Sequence, residues 1–178
     1  MKVLETDRLI LRRLSTDDAE FILRLLNDPS WLRFIGDRGV RTIQDARDYI
    51  LNGPVEMYAS QGFGLYLVEL KEGGIPIGLC GLIKRDFLDD VDVGFGFLPS
   101  YCAQGYAYES ACAVMAYAES ALGLKRIVAI TTADNDRSAR LLEKLGLRFE
   151  RVVKRPDEGQ EMRLFAVEVK DRPASGVV

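Results

Sequence analysis

The sequence predicts one domain of the α/β class, α+β in type, with a mixed and mostly antiparallel sheet of six to seven strands flanked by helices. Three observations predict it. Short runs of alternating apolar and polar residues, the period of a half-buried strand, recur along the chain. Three such runs in the middle follow one another across tight turns, which is how antiparallel strands are joined. The second half then switches to strand, helix, strand, the pattern of a crossover between parallel strands. At 178 residues the chain fits a single domain with a real core. Neither an internal repeat nor a linker interrupts it, so residues 1–170 are expected to form the domain and 171–178 a flexible tail.

The elements follow in order. Glu5–Arg13 sets Leu9 and Leu11 against Arg8 and Arg12 and reads as a strand. Ser15-Thr16-Asp17-Asp18 supplies capping oxygens and negative charge for a helix carrying Phe21, Ile22, Leu25 and Leu26, and Asn27-Asp28-Pro29 ends it. Trp31–Arg41 is expected to be irregular, and Thr42 to cap a second helix with Ala46, Tyr49 and Ile50. Strands follow at Phe63–Leu70, Ile77–Lys84 and Val91–Leu98, the first two joined by Lys71-Glu72-Gly73-Gly74. Tyr106–Leu122 is a helix with Ala107, Ala111, Val114, Met115, Ala118 and Leu122 on one face. Arg126–Thr131 is a strand, Ser138–Leu145 a helix, and Leu147–Val153 and Met162–Val169 are the last strands.

Composition excludes several chemistries. There is no histidine, which removes Ser-His-Asp and Cys-His catalysis and the commonest zinc ligands. Cys80, Cys102 and Cys112 have neither metal nor disulfide spacing, so no metal is expected. The formal charge is −3 with no long basic stretch, which argues against a nucleic acid and favours a cationic substrate such as an amine. No apolar run approaches the roughly 18 residues that cross a bilayer, and the charged N-terminus is unlike a signal peptide. A cytoplasmic protein without membrane contact is expected, as monomer or homodimer.

The segment from Phe97 to Ala107 lies between a strand and a long helix. A helix N-terminus carries unpaired N–H groups and partial positive charge, and a loop of small residues lets them close on an anion. Gly105 can take a positive φ, while Ala103 and Ala107 keep the approach open, so a pyrophosphate is a natural guest. Gly105 as a plain helix start is the competing reading. The segment matches neither a Rossmann fingerprint nor a P-loop.

Val93-Gly94-Phe95 through Gln104-Gly105-Tyr106-Ala107 resembles the acetyl-CoA-binding motif of the GNAT superfamily of N-acetyltransferases. It is most similar to the Rim-type branch that acetylates ribosomal-protein N-termini. Glu5-Thr6-Asp7-Arg8-Leu9-Ile10-Leu11-Arg12 and the run from Asn135 to Leu147 resemble the same branch, in the same order. The resemblance implies a GNAT-like sheet whose parallel fourth and fifth strands splay, with acetyl-CoA as cosubstrate. It implies that Phe95, Gly96, Phe97 and Leu98 offer strand backbone to the pantetheine arm. Cys102, Ala103, Gln104, Gly105, Tyr106 and Ala107 would form the pyrophosphate loop, and Asn135 and Ser138 would face the cofactor from the neighbouring unit. Cys102 stands where the family often has Gln or Arg, and Ala103 where it has Gly; backbone donors survive both changes.

Acetyl transfer to an amine needs a proton acceptor, an oxyanion donor and a group to stabilise the thiolate. Asp92 stands where family members often carry Glu and is the candidate base; a solvated hairpin carboxylate beside Asp86, Asp89 and Asp90 is the other reading. Glu109 is a weaker candidate, expected to be solvated. A free N–H at Phe97 or Leu98 is the candidate oxyanion donor, since Pro99 interrupts pairing. The Tyr that many superfamily members use for the thiolate is replaced by Leu142, leaving Ser138 either in that role or as a helix cap. Cys102 reads as a packing residue sooner than a nucleophile, and Trp31 and Phe34 as acceptor lining or as core. The expected activity is direct acetyl transfer to a primary amine, a protein N-terminus or a small molecule. A sensor or scaffold that binds CoA without turnover is the alternative.

Overall fold

The structure, a computed structural model, describes residues 1–157 and 159–169. The tail expected over 171–178 lies outside them. Eight strands form one sheet: β1 (Lys2–Glu5), β2 (Leu9–Arg12), β3 (Leu65–Leu70), β4 (Pro76–Ile83), β5 (Val91–Phe97), β6 (Arg126–Thr132), β7 (Arg148–Lys154) and β8 (Glu161–Glu168), in the order β1-β2-β3-β4-β5-β6-β8-β7. All pairs are antiparallel except β5 with β6. Helices α1 (Ala19–Leu26), α2 (Pro29–Phe34), α3 (Ile43–Ile50), α4 (Glu56–Gln61), α5 (Tyr106–Ser120) and α6 (Asp136–Lys144) flank it. One apolar core joins α5 and α6 to the sheet through Ala111, Val114, Met115, Ala118 and Leu142. A second joins α1, α2 and α3 through Ile22, Leu25, Trp31, Ala46 and Ile50 to Leu67 and Leu79. No helix among the described residues is long and apolar enough to cross a membrane.

Three differences from the sequence reading have identifiable physical causes. Eight strands form instead of six to seven, because a further strand, Lys2–Glu5, precedes the expected one, which forms only over Leu9–Arg12. Thr6 turns the chain, its N–H donating to the Leu9 carbonyl at 2.9 Å, and the two arms pair as β1 and β2. Glu109 pins that turn from α5. Its carboxylate accepts from the Thr6 hydroxyl at 2.5 Å, the Arg8 N–H at 3.0 Å and the Arg8 guanidinium at 2.7 Å. Glu109 is therefore an anchor between α5 and the β1–β2 turn, not a solvated carboxylate. Burial alone would raise its pKa, but the Thr6 and Arg8 donors together hold it below the ordinary value.

Trp31–Arg41 is not irregular throughout. Asp28 accepts from the Ser30 N–H at 2.9 Å and Pro29 occupies the first turn, so the residues that end α1 also start α2. After Ile50 the helical path continues through a π-helical turn, Leu51–Val55, into α4, which Gly62 ends at φ 78°. Helices α1–α3 thus cover the sheet face that carries Leu67 and Leu79, while α4 contributes Tyr58 to the core shared with α5 and α6.

Candidate functional site

β5 and β6 pair only at Val91↔Ile127 and Asp92↔Val128; beyond Asp92 the two strands part. On its other edge β5 stays in register with β4 to Phe97, and the Leu98 N–H donates to the Ile77 carbonyl at 3.0 Å. Antiparallel pairing alternates the direction of backbone groups. Gly94, Gly96 and Leu98 therefore face β4, and Phe95 and Phe97 turn their N–H and C=O groups into the gap left by β6. Leu98 is not an available oxyanion donor, because its N–H is spent on Ile77 and its side chain is core.

At the far end of β5 the loop expected to hold a pyrophosphate forms a tight nest. Ala103 and Gly105 both have positive φ, 61° and 84°, with Gly105 immediately before the first turn of α5. Turns of this kind aim successive N–H groups at one point, and α5 adds its dipole. The Gln104 side chain ties the loop by donating to the Ser100 carbonyl at 2.8 Å, and Arg8 donates to the Gln104 carbonyl at 3.0 Å with its guanidinium 4.5 Å from the Tyr106 ring centroid. The Cys102 Sγ lies 3.6 Å from the Leu98 carbonyl oxygen, inside the loop. Ala107 packs on the α5 core.

At the near end, a cavity of about 270 Å³ opens between the parted strands. Asp92, Phe95 and Gly96 line it from β5, and Thr131, Asn135, Ser138 and Leu142 from β6 and α6. Trp31, Phe34 and Ile35 close it from the α2 region, Tyr49 and Met57 from α3 and α4. The cavity thus gathers Asp92, Phe95, Gly96, Asn135, Ser138, Trp31 and Phe34. Phe97, Leu98 and the loop Cys102–Ala107 are not on its wall; five residue steps along β5, about 17 Å at the usual rise, lead from Asp92 to Phe97.

Asp92 is 1% exposed and pairs with the Arg85 Nε at 2.5 Å. It is not a solvated hairpin carboxylate. Burial pushes its pKa up, and the Arg85 charge offsets only part of that. Asn135 caps α6 by accepting from the Ser138 N–H at 3.2 Å, so the cap is Asn135 and not Ser138. Ser138 and Leu142, four residues apart, lie on one helix face and both line the cavity. Leu142 is 1% exposed and brings no hydroxyl. The Trp31 Nε1 and Thr131 Oγ1 are buried without a hydrogen-bond partner among the described residues.

Sequence reasoning named neither Arg85 nor Arg38, both on the cavity wall. Arg155, at the start of the turn between β7 and β8, also lines it and reaches the Ile35 carbonyl at 3.2 Å and the Asp157 carboxylate at 3.1 Å. The sequence offers the loops around Trp31–Arg41 and Arg155–Glu161 as acceptor lining, and Arg38 and Arg155 fall within them; arginine is ordinarily a surface residue, so nothing in the position of Arg85 marked it.

Gly96 seats Trp31. A methyl group there would sit inside van der Waals distance of the indole and 3.0 Å from the Ile35 Cδ1. Gly96→Ala is expected to lower stability by about 1–3 kcal/mol through overpacking and to shift the emission of Trp31. Since Trp31 is the only tryptophan, an unchanged spectrum would show that the seat is not tight.

The profile of the acetyltransferase (GNAT) domain matches residues 8–148. The uncharacterized N-acetyltransferase YoaA of Bacillus subtilis (strain 168) is 32% identical over 154 residues, covering 85% of this chain and 86% of that protein. Among solved structures, an acetyltransferase from Agrobacterium tumefaciens str. C58 superposes with a TM-score of 0.80 at 22% identity, covering 94% of each chain. RimL, described as a ribosomal L7/L12 alpha-N-protein acetyltransferase in complex with coenzyme A, superposes with a TM-score of 0.80 at 16% identity, covering 94% of this chain and 98% of that one. The chain belongs to the GNAT acetyltransferase family and is an N-acetyltransferase whose cosubstrate is acetyl-CoA.

Proposed function

We propose that the chain transfers acetyl directly to a primary amine in a ternary complex, with the cofactor lying along the fork between β5 and β6. The observation that carries this reading is the continuity of three features: the nest before α5, the uncovered backbone of Phe95 and Phe97, and the cavity that holds Asp92. The residues fit the group. Backbone donors at Cys102–Ala107 would hold the pyrophosphate, Phe95 and Phe97 the amide-bearing arm, and Asn135 and Ser138 the opposite side. That RimL is solved with coenzyme A supports this reading. The ribosomal-protein acetyltransferases among the structural neighbours make a protein N-terminus one acceptor to test.

Acetyl-CoA supplies the electrophile, a thioester carbonyl carbon that the amine nitrogen takes as the C–S bond breaks. Asp92 accepts the amine proton through water. The Phe95 N–H, nearest the fork among those turned into the gap, donates to the carbonyl oxygen. Ser138 holds a proton for the departing sulfur, the place at which Leu142 has nothing to offer. Trp31 and Phe34 wall the acceptor slot. The experiment is thermal unfolding with acetyl-CoA, where a ligand at 100 times its Kd adds about 2.7 kcal/mol. An unchanged Tm at saturation would remove the fork as a cofactor site. Thiol release over an amine panel then separates turnover from CoA binding alone.

A further inference from the structure

We infer that the outer edge of β7 docks a second copy of this chain, the two β7 strands pairing antiparallel about a two-fold axis between Glu150 and Arg151 so that two sheets become one.

The two ends of the sheet differ. β1 closes one end with four residues, exposed Lys2 and Glu5 at its limits and Val3 and Leu4 packed on the core. A short edge strand carrying charge is a usual protection against unwanted pairing. β7 closes the other end with seven residues, and among the described residues no strand pairs with its outer side. Phe149 is 54% exposed there and Val152 is 52% exposed. A long edge that shows apolar side chains to water is a template for another strand.

A bulge makes this edge self-complementary. Phe149 stands opposite Phe165 and Arg151 opposite Leu164, so Glu150 is an extra residue on β7. In a regular strand, residues three apart lie on opposite faces. The bulge returns Val152, opposite Arg163, to the face of Phe149, where the Phe149 and Phe165 rings meet edge to face at 6.0 Å between centroids. Glu150 and Arg151 turn to the other face. Glu150 reaches Arg126 there at 2.6 Å, and Arg148 and Val153 share that face, opposite Ala166 and Met162. From 148 to 153 the faces therefore read the same in both directions.

A two-fold axis at the centre of that segment sets Phe149 opposite the partner's Val152 and Glu150 opposite the partner's Arg151, each twice. Aromatic against β-branched and acid against base are pairs that stabilise antiparallel strands. Arg151 is 55% exposed and only loosely held by Glu150 of its own chain, at 3.8 Å, so its charge is open to a partner. Charge also fixes the register. Moving the axis onto either central residue sets Glu150 against Glu150 or Arg151 against Arg151.

The test is sedimentation equilibrium of the full chain from about 1 µM to about 500 µM. A contact of one strand pair is small, so a dimer with a Kd on the order of 10 µM is expected. Arg151→Glu sets like charges across both halves of the contact and should weaken the dimer about tenfold or more. Glu150→Arg should do the same. Arg126 then keeps Asp90 at 3.0 Å and Glu168 at 3.2 Å, so the fold is expected to persist, which thermal unfolding checks. Val152→Lys alters only an exposed apolar position and should also weaken the dimer. The decisive sample is an equal mixture of Arg151→Glu and Glu150→Arg. Each new charge then meets its opposite, and a heterodimer of near wild-type affinity should form. Partial unfolding or a contact elsewhere on the surface would not produce that rescue. A wild-type chain that stays monomeric at the highest concentration, a dimer that none of the three variants weakens, or a mixture of folded variants that stays dissociated would overturn the proposal.

Discussion

Gly105→Glu is expected to abolish acetyl-CoA binding in a protein that remains folded. Gly105 sits at φ 84°, where a residue with a β-carbon costs about 1–2 kcal/mol. Its added Cβ would lie 3.2 Å from the Arg8 Nη2, a flexible side chain that can give way. Strain alone should therefore leave a folded protein, and Gly105→Ala measures it. The glutamate adds a carboxylate at the nest before α5, where N–H groups and the helix dipole favour negative charge. An internal anion then competes with the pyrophosphate at every cofactor concentration. Calorimetry should show at least about a hundredfold loss of affinity for glutamate, a difference of about 2.8 kcal/mol, and near-normal binding for alanine. Normal binding by Gly105→Glu would place the phosphates elsewhere.

The parts of the fold that could be read from the sequence are those set by local chemistry. Ser15 and Thr42 begin helices because each forms a capping box with an Asp three residues on. The apolar face of Tyr106–Ser120 reflects burial on one side of a helix. What could not be read depends on distant partners. The break at Thr6 is held by Glu109, more than a hundred residues away. Asp28-Pro29 ends one helix and starts another with the same two residues, so the signal is ambiguous until the chain path is known. The charge of the cavity is a third case. Net charge favoured a cationic substrate, while the folded wall collects Arg38, Arg85 and Arg155 from three separate segments. The nest and the Asp92 position were legible only because their residues stand in a spacing that resembles a family pattern; the burial of Asp92 was not.

Asp92→Asn is expected to lower turnover by about 10²–10⁴, the usual worth of a general base, with acetyl-CoA affinity unchanged within about twofold. Asn keeps the size of the side chain and removes its ability to accept a proton. The pH dependence identifies the role. Burial raises the Asp92 pKa, and the neighbouring Arg85 lowers it by less. A base must be ionised to act, so wild-type activity should fall as pH drops through that raised value, and the variant should lose this limb of the profile. Stability runs the other way. A carboxyl whose native pKa lies above its unfolded value stabilises fully below the unfolded pKa, and that contribution is lost as pH rises through the native pKa. Wild-type Tm should therefore decline across this window, and Asp92→Asn should flatten the decline. The Arg85 side chain, 22% exposed, can turn to water when its partner is neutral, which keeps the cost of the substitution small. Asp92→Glu restores a carboxylate on a longer arm and should recover part of the rate. If Asp92→Asn retains wild-type turnover and pH profile, Asp92 serves only to balance Arg85, and the amine must lose its proton directly to water in the cavity.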